Sequence, residues 1–298
     1  MASRVTQGMM SIQLLRNLNS NLKRMDGLQT QLSSGRKINK PSDDPVGISF
    51  SMRYRSEHAA TEQYVTNTNA AISFMDYTDT ALDQAGNVLQ RVRELAVKGA
   101  NGTNSDLALE TIRSEILQLK EQMVTVANSQ FNGKYVFNGQ MTDRAAYVSG
   151  DPATESTDDG QIKFEIGAGI TIAVNVTGNQ IFGSGADTDN VFRVFDELAA
   201  ALEASDTGEV SALIEKIDSR MDTFLELRAD VGAKMNRLDL SNDRLSDISI
   251  NLQTLQAKTE DADMAIVITN LKMAENVYQA SLASGSKLIT PSLLDYLR

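Results

Sequence analysis

Hydrophobic residues near both ends of the chain recur at alternating spacings of three and four residues. Toward the N-terminus this pattern comprises Leu15, Leu18, Leu22, Met25 and Leu32. Toward the C-terminus one heptad register runs through Leu238, Leu245, Leu252 and, less regularly, Thr259, Ile266 and Met273. A second register runs through Ile248, Leu255 and Ala262, and the stretch continues with Val277 and Leu282. Such a seam predicts long α-helices that pair as a coiled coil.

Proline positions indicate where these helices are interrupted. The four prolines are Pro41, Pro45, Pro152 and Pro291, which leaves 46–151 and 153–290 open to long helices. A first helix is predicted over about 6–34, ending at a glycine suited to a left-handed C-cap. The connector that follows has the signature residues Gly35, Asn39, Pro41, Asp43, Asp44 and Pro45. Asp44 followed by Pro45 is a typical helix start, so a second helix is predicted to about residue 98. Its heptad seam is predicted at Met75, Thr78, Leu82, Ala85, Leu89, Val92 and Ala96.

Three further helices are predicted from the same periodicity. One begins after Asn104 or Ser105 and stops at Asn132–Gly133. Another begins at about Asp189. The last runs without interruption from about Glu209 to about Ser284, which at ~1.5 Å per residue is roughly 110 Å.

The middle of the chain has a different pattern. From about 134 to 188 the helical periodicity is lost, and residues 135–137 suggest a short strand. Apolar residues alternate over 162–166 and again over 170–176, on either side of Gly167-Ala168-Gly169, which predicts a β-hairpin.

These elements predict a mainly α fold. The N- and C-terminal segments form a long antiparallel coiled coil or helical bundle, and a small β-rich domain is inserted between them. Three domains are expected: a terminal coiled-coil domain of 1–42 with 262–298, a helical bundle of 43–138 with 190–261, and an insert of 139–189.

Composition narrows the range of functions. The net charge is −11, which argues against nucleic acid and anionic membranes as partners. There is no cysteine, so disulfides, thiolate metal sites and cysteine nucleophiles are excluded. We see no secretory signal in the first 30 residues and no apolar run long enough to span a membrane.

Candidate catalytic and ligand-binding residues are few. The single histidine, His58, is interpreted as a solvated helix residue. Asp43 and Asp44 are interpreted as loop and helix caps rather than paired acids. Asp158-Asp159-Gly160 lacks the spaced oxygen ligands of an EF-hand and is interpreted as a β-turn. We therefore expect a structural protein, not an enzyme, with no metal and no cofactor.

Several motifs resemble the bacterial flagellin superfamily. The stretch LSSGRKINKPSDDPVG, residues 32–47, is similar to the N-terminal signature of that superfamily. Three further motifs are more specific. Among the members of that superfamily, the hook–filament junction proteins, also called the third hook-associated proteins, are the ones most similar to RVTQGMM (4–10), GKYVFNG (133–139) and YQASLASGSKLITPSLLDYL (278–297). The resemblance covers about 4–140 and 200–298. Members normally begin Met-Arg, so Ala2 and Ser3 depart from the pattern.

The resemblance implies a structural subunit of the flagellum that connects the hook to the filament. It implies three assembly partners: the first hook-associated protein, flagellin, and further copies of the chain in a ring. It also implies export in an unfolded state by the flagellar type III apparatus, a cytoplasmic stage with a chaperone on the C-terminal helix, and terminal coiled coils that form an inner tube.

The terminal seams are narrow and flanked by Asn, Gln and Ser, so we expect neighbouring subunits to complete their packing. For the same reason residues 1–40 and about 260–298 are expected to be mobile in the isolated monomer. Three alternatives remain open: flagellin itself, which Pro291 argues against, an enzyme on a flagellin-like frame, and a coiled-coil module that acts alone.

Overall fold

The computed structural model describes residues 7–148 and 151–288. The helices are α1 Gln7–Ser34, α2 Pro45–Gly99, α3 Asp106–Ala127, α4 Gly178–Phe182, α5 Val191–Glu203, α6 Thr207–Glu260 and α7 Met264–Leu288. The strands are β1 Gln130–Phe131, β2 Lys134–Tyr135, β3 Lys163–Gly167 and β4 Ile170–Ala173. The prediction of a mainly α fold with a small β region is confirmed.

The chain divides into two compact units. We call residues 1–60 with 248–298 the terminal unit, and residues 61–247 the central unit. Both divisions fall within the long helices α2 and α6. The sequence-based boundaries at about 42 and 262, and the separation of the 139–189 insert, stay predictions.

In the terminal unit, α1 packs antiparallel to α7. Leu14 in the first half of α1 lies beside Gly285 near the end of α7, where a Cβ on the glycine would come within 2.7 Å of the leucine Cδ2. At the opposite end of the pair, the amide of Ala262 donates to the carbonyl of Gly35 over 2.9 Å.

The prediction of one uninterrupted C-terminal helix is wrong. Helix α6 ends at Glu260, and α7 begins at Met264 after a short break. Asp263 caps the new helix, since its Oδ1 accepts hydrogen bonds from the amides of Ala265 and Ile266. Helix α6 has 54 residues and therefore spans about 80 Å, not 110 Å.

The central unit contains parts of α2 and α6 together with α3, α4 and α5, and these helices share a continuous apolar core. Every predicted seam position of α2 is buried: Met75, Thr78, Leu82, Ala85, Leu89, Val92 and Ala96. Ion pairs on the surface of this core link α2 to α6 in antiparallel register, for example Arg93 with Asp218 and Arg228 with Asp79.

Helix α3 ends earlier than predicted. It begins after the N-cap Ser105 but stops at Ala127, and Asn132–Gly133 forms the turn of the β1–β2 hairpin. Asn132 and Gly133 have φ values of 52° and 75°, the left-handed pair that a two-residue type I′ hairpin turn requires. The short strand expected at 135–137 is limited to Lys134–Tyr135.

The predicted hairpin of the insert is present as β3 and β4, which pair antiparallel with Phe164 opposite Ile172. Its buried residues, including Ile166 and Val174, belong to the same apolar cluster as the helices. The rings of Phe137, Tyr147, Phe182 and Phe192 pack against one another in this cluster.

Candidate functional site: the connector and the terminal helices

The two chain segments that leave the α1–α7 pair are joined by a short antiparallel bridge. Arg36 pairs with Asp261. The amide of Lys37 donates to the carbonyl of Glu260 over 2.7 Å, and the ammonium of Lys37 donates to the carbonyl of Lys258. Because both segments lose helical geometry at the same level, their backbone groups satisfy each other across the gap.

A buried carboxylate holds this bridge in place. The side chain of Glu260 is only 2 % exposed. Its Oε2 accepts hydrogen bonds from Ser51 and Arg55 of α2, its Oε1 accepts one from Gln256 over 2.7 Å, and Arg36 of the connector lies 3.5 Å away. Glu260 therefore ties the end of α6 to α2 and to the connector.

The protonation of Glu260 follows from these contacts. Burial acts to raise its pKa, but the hydrogen bonds from Arg55, Gln256 and Ser51 outweigh burial and lower the pKa to about 2. The carboxylate is therefore charged throughout the physiological range.

Aspartates in the connector close the turn into α2, as predicted. Asp43 Oδ2 accepts the amides of Asn39 and Lys40, and these hydrogen bonds lower the pKa of Asp43. Asp44 Oδ1 accepts the amides of Val46 and Gly47 at the start of α2. Pro41 lies in the turn that the amide of Asp43 closes by donating to the carbonyl of Lys40, and Pro45 is the first residue of α2.

The seam between α1 and α7 is narrow. Its half-buried residues on α1 repeat at heptad spacing: Leu14, Leu18, Asn21, Met25, Leu28 and Leu32. The facing side of α7 contributes mostly small or polar residues, namely Val267, Leu271, Ala274, Tyr278, Ser281 and Gly285. A seam with Asn, Ser and Gly buries less apolar area than a leucine seam of equal length.

The predicted N-terminal seam residues separate into two sets. Leu18, Met25 and Leu32 face α7 and are half-buried, whereas Leu15 and Leu22 are exposed. On α7 all four predicted residues, Ile266, Met273, Val277 and Leu282, are exposed. We call seven exposed apolar residues that flank the seam on its two sides the outer stripe: Ile12, Leu15, Leu22, Ile266, Met273, Val277 and Leu282. Its role as an assembly interface stays a prediction.

Exposed apolar side chains are concentrated in the terminal unit. Most of the large hydrophobic residues that are exposed in the described part of the chain belong to it, including Val46, Phe50 and Met52 on α2 and Ile250 and Leu255 on α6. Soluble monomers rarely expose large apolar patches, and such patches mark interaction surfaces.

The sequence interpretation missed the cluster around Glu260. Its members Ser51, Arg55 and Gln256 are ordinary polar helix residues, and nothing local marks them as partners. The sequence Asp261-Ala262-Asp263 did contain a helix-start signal in Asp263, but Ala262 was assigned to a heptad seam instead. Ile38 was also missed. It is buried against the start of α2, where Gly47 leaves room for it.

His58, which was interpreted as a solvated helix residue, lies on α2. It is half-buried, with its Nε2 3.2 Å from Ser249 Oγ on α6. Asp158 Oδ2 accepts hydrogen bonds from the amides of Gln140 and Gly160, which fits the predicted turn. Within 7–148 and 151–288, no group of three or more His, Cys, Asp or Glu is placed to hold a metal ion. The helices described in those ranges include none long and apolar enough to cross a membrane.

Comparison with known proteins matches both ends of the chain to family models. Residues 5–142 match the bacterial flagellin N-terminal helical region, and residues 214–297 match the bacterial flagellin C-terminal helical region. Together these matches cover most of the chain and both helical segments of the terminal unit.

Individual relatives are similar over nearly their whole length. The flagellar filament 33 kDa core protein of Treponema phagedenis is 30% identical, with 94% of each chain covered. Flagellar hook-associated protein 3 of Salmonella typhimurium is 26% identical, with 91% of this chain and 92% of the relative covered.

A solved structure shares the fold. The flagellar hook-associated protein-3 of Legionella pneumophila superposes with a TM-score of 0.61 at 17% identity, over 69% of this chain and 98% of that one. The two family models match residues 5–142 and 214–297, which is well over half of the chain. The chain belongs to the bacterial flagellin family.

Proposed function

We propose that the chain is a structural junction subunit of the bacterial flagellum that connects the hook to the flagellin filament. The similarity to flagellar hook-associated protein 3 along more than nine-tenths of both chains supports this role. The motifs at 133–139 and 278–297 support it independently. The second motif continues past residue 288, so its last part, which includes Pro291, lies outside the described residues.

The observation that carries the proposal is the outer stripe. Leu15 and Leu22 on α1, and Ile266, Met273 and Val277 on α7, leave their apolar surface in water although the helices are already paired. Each large apolar side chain that moves from water into an interface contributes up to about 1.5–3 kcal/mol. Assembly with neighbouring subunits removes this surface from water.

The proposed partners are the first hook-associated protein on the hook side, flagellin on the filament side, and further copies of the chain in a ring. In this arrangement residues 1–42 with 262–298 form the inner domain, 43–138 with 190–261 the helical bundle, and 139–189 the outermost part. The assembled protein is a component of the flagellum outside the cell.

The proposed route to that place is export in an unfolded state through the flagellar type III apparatus, after a cytoplasmic stage in which a chaperone covers the C-terminal helix. The narrow α1–α7 seam supports this part of the proposal. Helices that gain little from pairing are easily kept unfolded, and they recover the ordering free energy when partners bind.

Flagellin itself is the second candidate. The Treponema phagedenis relative is a filament core protein and is as similar to this chain as the hook-associated relative. The two functions differ in where the protein is found and in how many copies each flagellum contains.

Gold labelling of isolated flagella separates the two candidates. An antibody against the central unit is expected to label one short zone, where the hook meets the filament. Label along the whole filament would contradict the junction role and favour flagellin. Pre-absorbing the antibody with purified protein provides the control.

A further inference from the structure

The central unit contains an apolar cleft of about 530 Å³ beside its two hairpins. Phe74, Phe131, Ile162 and Phe164 form its apolar walls, and the rings of Phe74 and Phe131 meet edge to face at 6.0 Å. Phe131, Ile162 and Phe164 are only half-buried. A cleft of this size accommodates one or two large apolar side chains.

The rim of the cleft is positively charged. Lys134 and Lys163 are exposed at its edge, and none of the described residues that line it is acidic. This is unusual in a chain with a net charge of −11. The cleft therefore fits an apolar side chain that has carboxylates beside it.

Leu107 is an exposed apolar side chain with carboxylates beside it. It is 78 % exposed, more than any other large hydrophobic residue in the described part of the chain. Asp106 precedes it and Glu110 follows one turn later, and both are exposed. Arg113 lies 3.2 Å from Glu110 in an i,i+3 pair, which leaves Asp106 as the stronger negative charge beside the leucine.

Leu107 cannot reach the cleft of its own chain. It lies in the first turn of α3, whereas the cleft adjoins the hairpin that follows the end of this 22-residue helix. The helix alone separates the two by about 33 Å. An occupant with this chemistry must come from another molecule.

We propose that the cleft receives Leu107 of a second copy of the chain, with Asp106 and Glu110 of that copy beside Lys134 and Lys163. We call Leu107 with its neighbours Asp106 and Glu110 the knob. Because the knob and the cleft are different surfaces of the chain, the contact is heterologous, and repeating it produces a ring or a helix. The inference rests on the proposed function, since it assigns one of the contacts through which copies form a ring.

Disulfide cross-linking tests the contact, because the natural chain has no cysteine. Leu107→Cys and Lys163→Cys are made in separate full-length chains, mixed and oxidised, both as purified protein and in assembled flagella. The matched control replaces Leu107→Cys by Leu240→Cys, at a leucine of similar exposure with Asp239 and Asp243 nearby.

We expect the Leu107–Lys163 pair to cross-link about tenfold more than the Leu240–Lys163 pair, a difference equivalent to ~1.4 kcal/mol of association free energy. Equal yields from the two pairs would overturn the proposal. If cells carrying the cysteine variants build normal filaments without the Leu107–Lys163 cross-link, this contact is refuted and the junction role is not.

Charge exchange gives a second readout. Variant A carries Asp106→Lys and Glu110→Lys, and variant B carries Lys134→Glu and Lys163→Glu. Because position 163 is changed in variant B, the cleft cysteine for this test is Gln161→Cys, which also lines the cleft. Each variant is made once with Leu107→Cys and once with Gln161→Cys. In either variant alone, knob and cleft have the same charge and the cross-link is expected to be lost. Mixing A with B creates A–B contacts with opposite charges and is expected to restore the cross-link between A and B. Failure of the mixture to restore the cross-link would overturn the proposal.

Discussion

Leu14 lies directly against Gly285, so the far ends of α1 and α7 approach closely only because position 285 has no side chain. A β-carbon there would come within 2.7 Å of the leucine. We predict that Gly285→Val loosens the pair and reduces the helicity measured by circular dichroism. Gly27→Val is the matched control, because Gly27 has open space around it and valine has a slightly higher helix propensity than glycine, so no loss of helicity is expected there. Equal helicity loss in both variants would contradict this packing.

The charge on Glu260 makes the terminal unit sensitive to acid. Its pKa is lowered from 4.5 to about 2, so the stabilisation is complete above pH 4.5 and is lost as the pH falls toward 2. We predict that the midpoint of urea unfolding of the terminal helices falls over this range in the natural chain. In Glu260→Gln, position 260 has no carboxylate to protonate, so the urea midpoint should change less between pH 4.5 and pH 2 than in the natural chain.

The same substitution has a cost at neutral pH. Glu260→Gln leaves Arg55 without its charged partner and should destabilise the terminal unit by about 1–3 kcal/mol. Glu57→Gln, which affects an exposed i,i+4 pair with Arg53 on the same helix, should cost less than about 0.5 kcal/mol. If the two variants unfold at the same urea concentration, the Glu260 cluster does not hold the connector.

The outer stripe and the inner seam should respond differently to charge. Leu15→Glu places a carboxylate in water, so the monomer is expected to keep its stability within about 0.5 kcal/mol and to lose assembly into flagella. Leu18→Glu places it against α7 and should reduce the helicity of the monomer itself. Thermal unfolding and an assembly assay on both variants measure this contrast. Normal assembly of Leu15→Glu would remove the outer stripe from the interface.

Limited proteolysis measures how strongly the terminal helices are held. The seam between them includes Asn21, Ser281 and Gly285, so its local unfolding free energy should be low. We expect a non-specific protease to cleave α1 and α7 of the dilute monomer well before α3 or α5, which contribute buried residues to the apolar core of the central unit. Resistance of both terminal helices equal to that of α3 would contradict the expectation.

Much of the fold follows from local patterns. The heptad of α2 predicted a buried face from Met75 to Ala96 correctly, because a long regular stripe has one interpretation in a helix. The caps Asp44 and Ser105, and the hairpin around Gly169, are likewise local signals that tertiary structure did not override.

Other features depend on partners far away in the sequence. Leu14 and Leu15 are adjacent, and either one continues a heptad with Leu18, so only the position of α7 decides which of them faces inward. The break at 261–263 contains no Gly or Pro, and hydrogen bonds to Gly35 and Lys37, more than 200 residues away, stabilise it. Glu260 acquires its role only when α2 and the connector surround it.

The most direct measurement of the junction role is the fate of flagellin in a strain that lacks this chain. The account predicts complete hooks, no filaments, and unpolymerised flagellin in the culture medium. The natural gene should restore filaments, and the Leu15→Glu form should not. Normal filaments in the deleted strain would contradict the account.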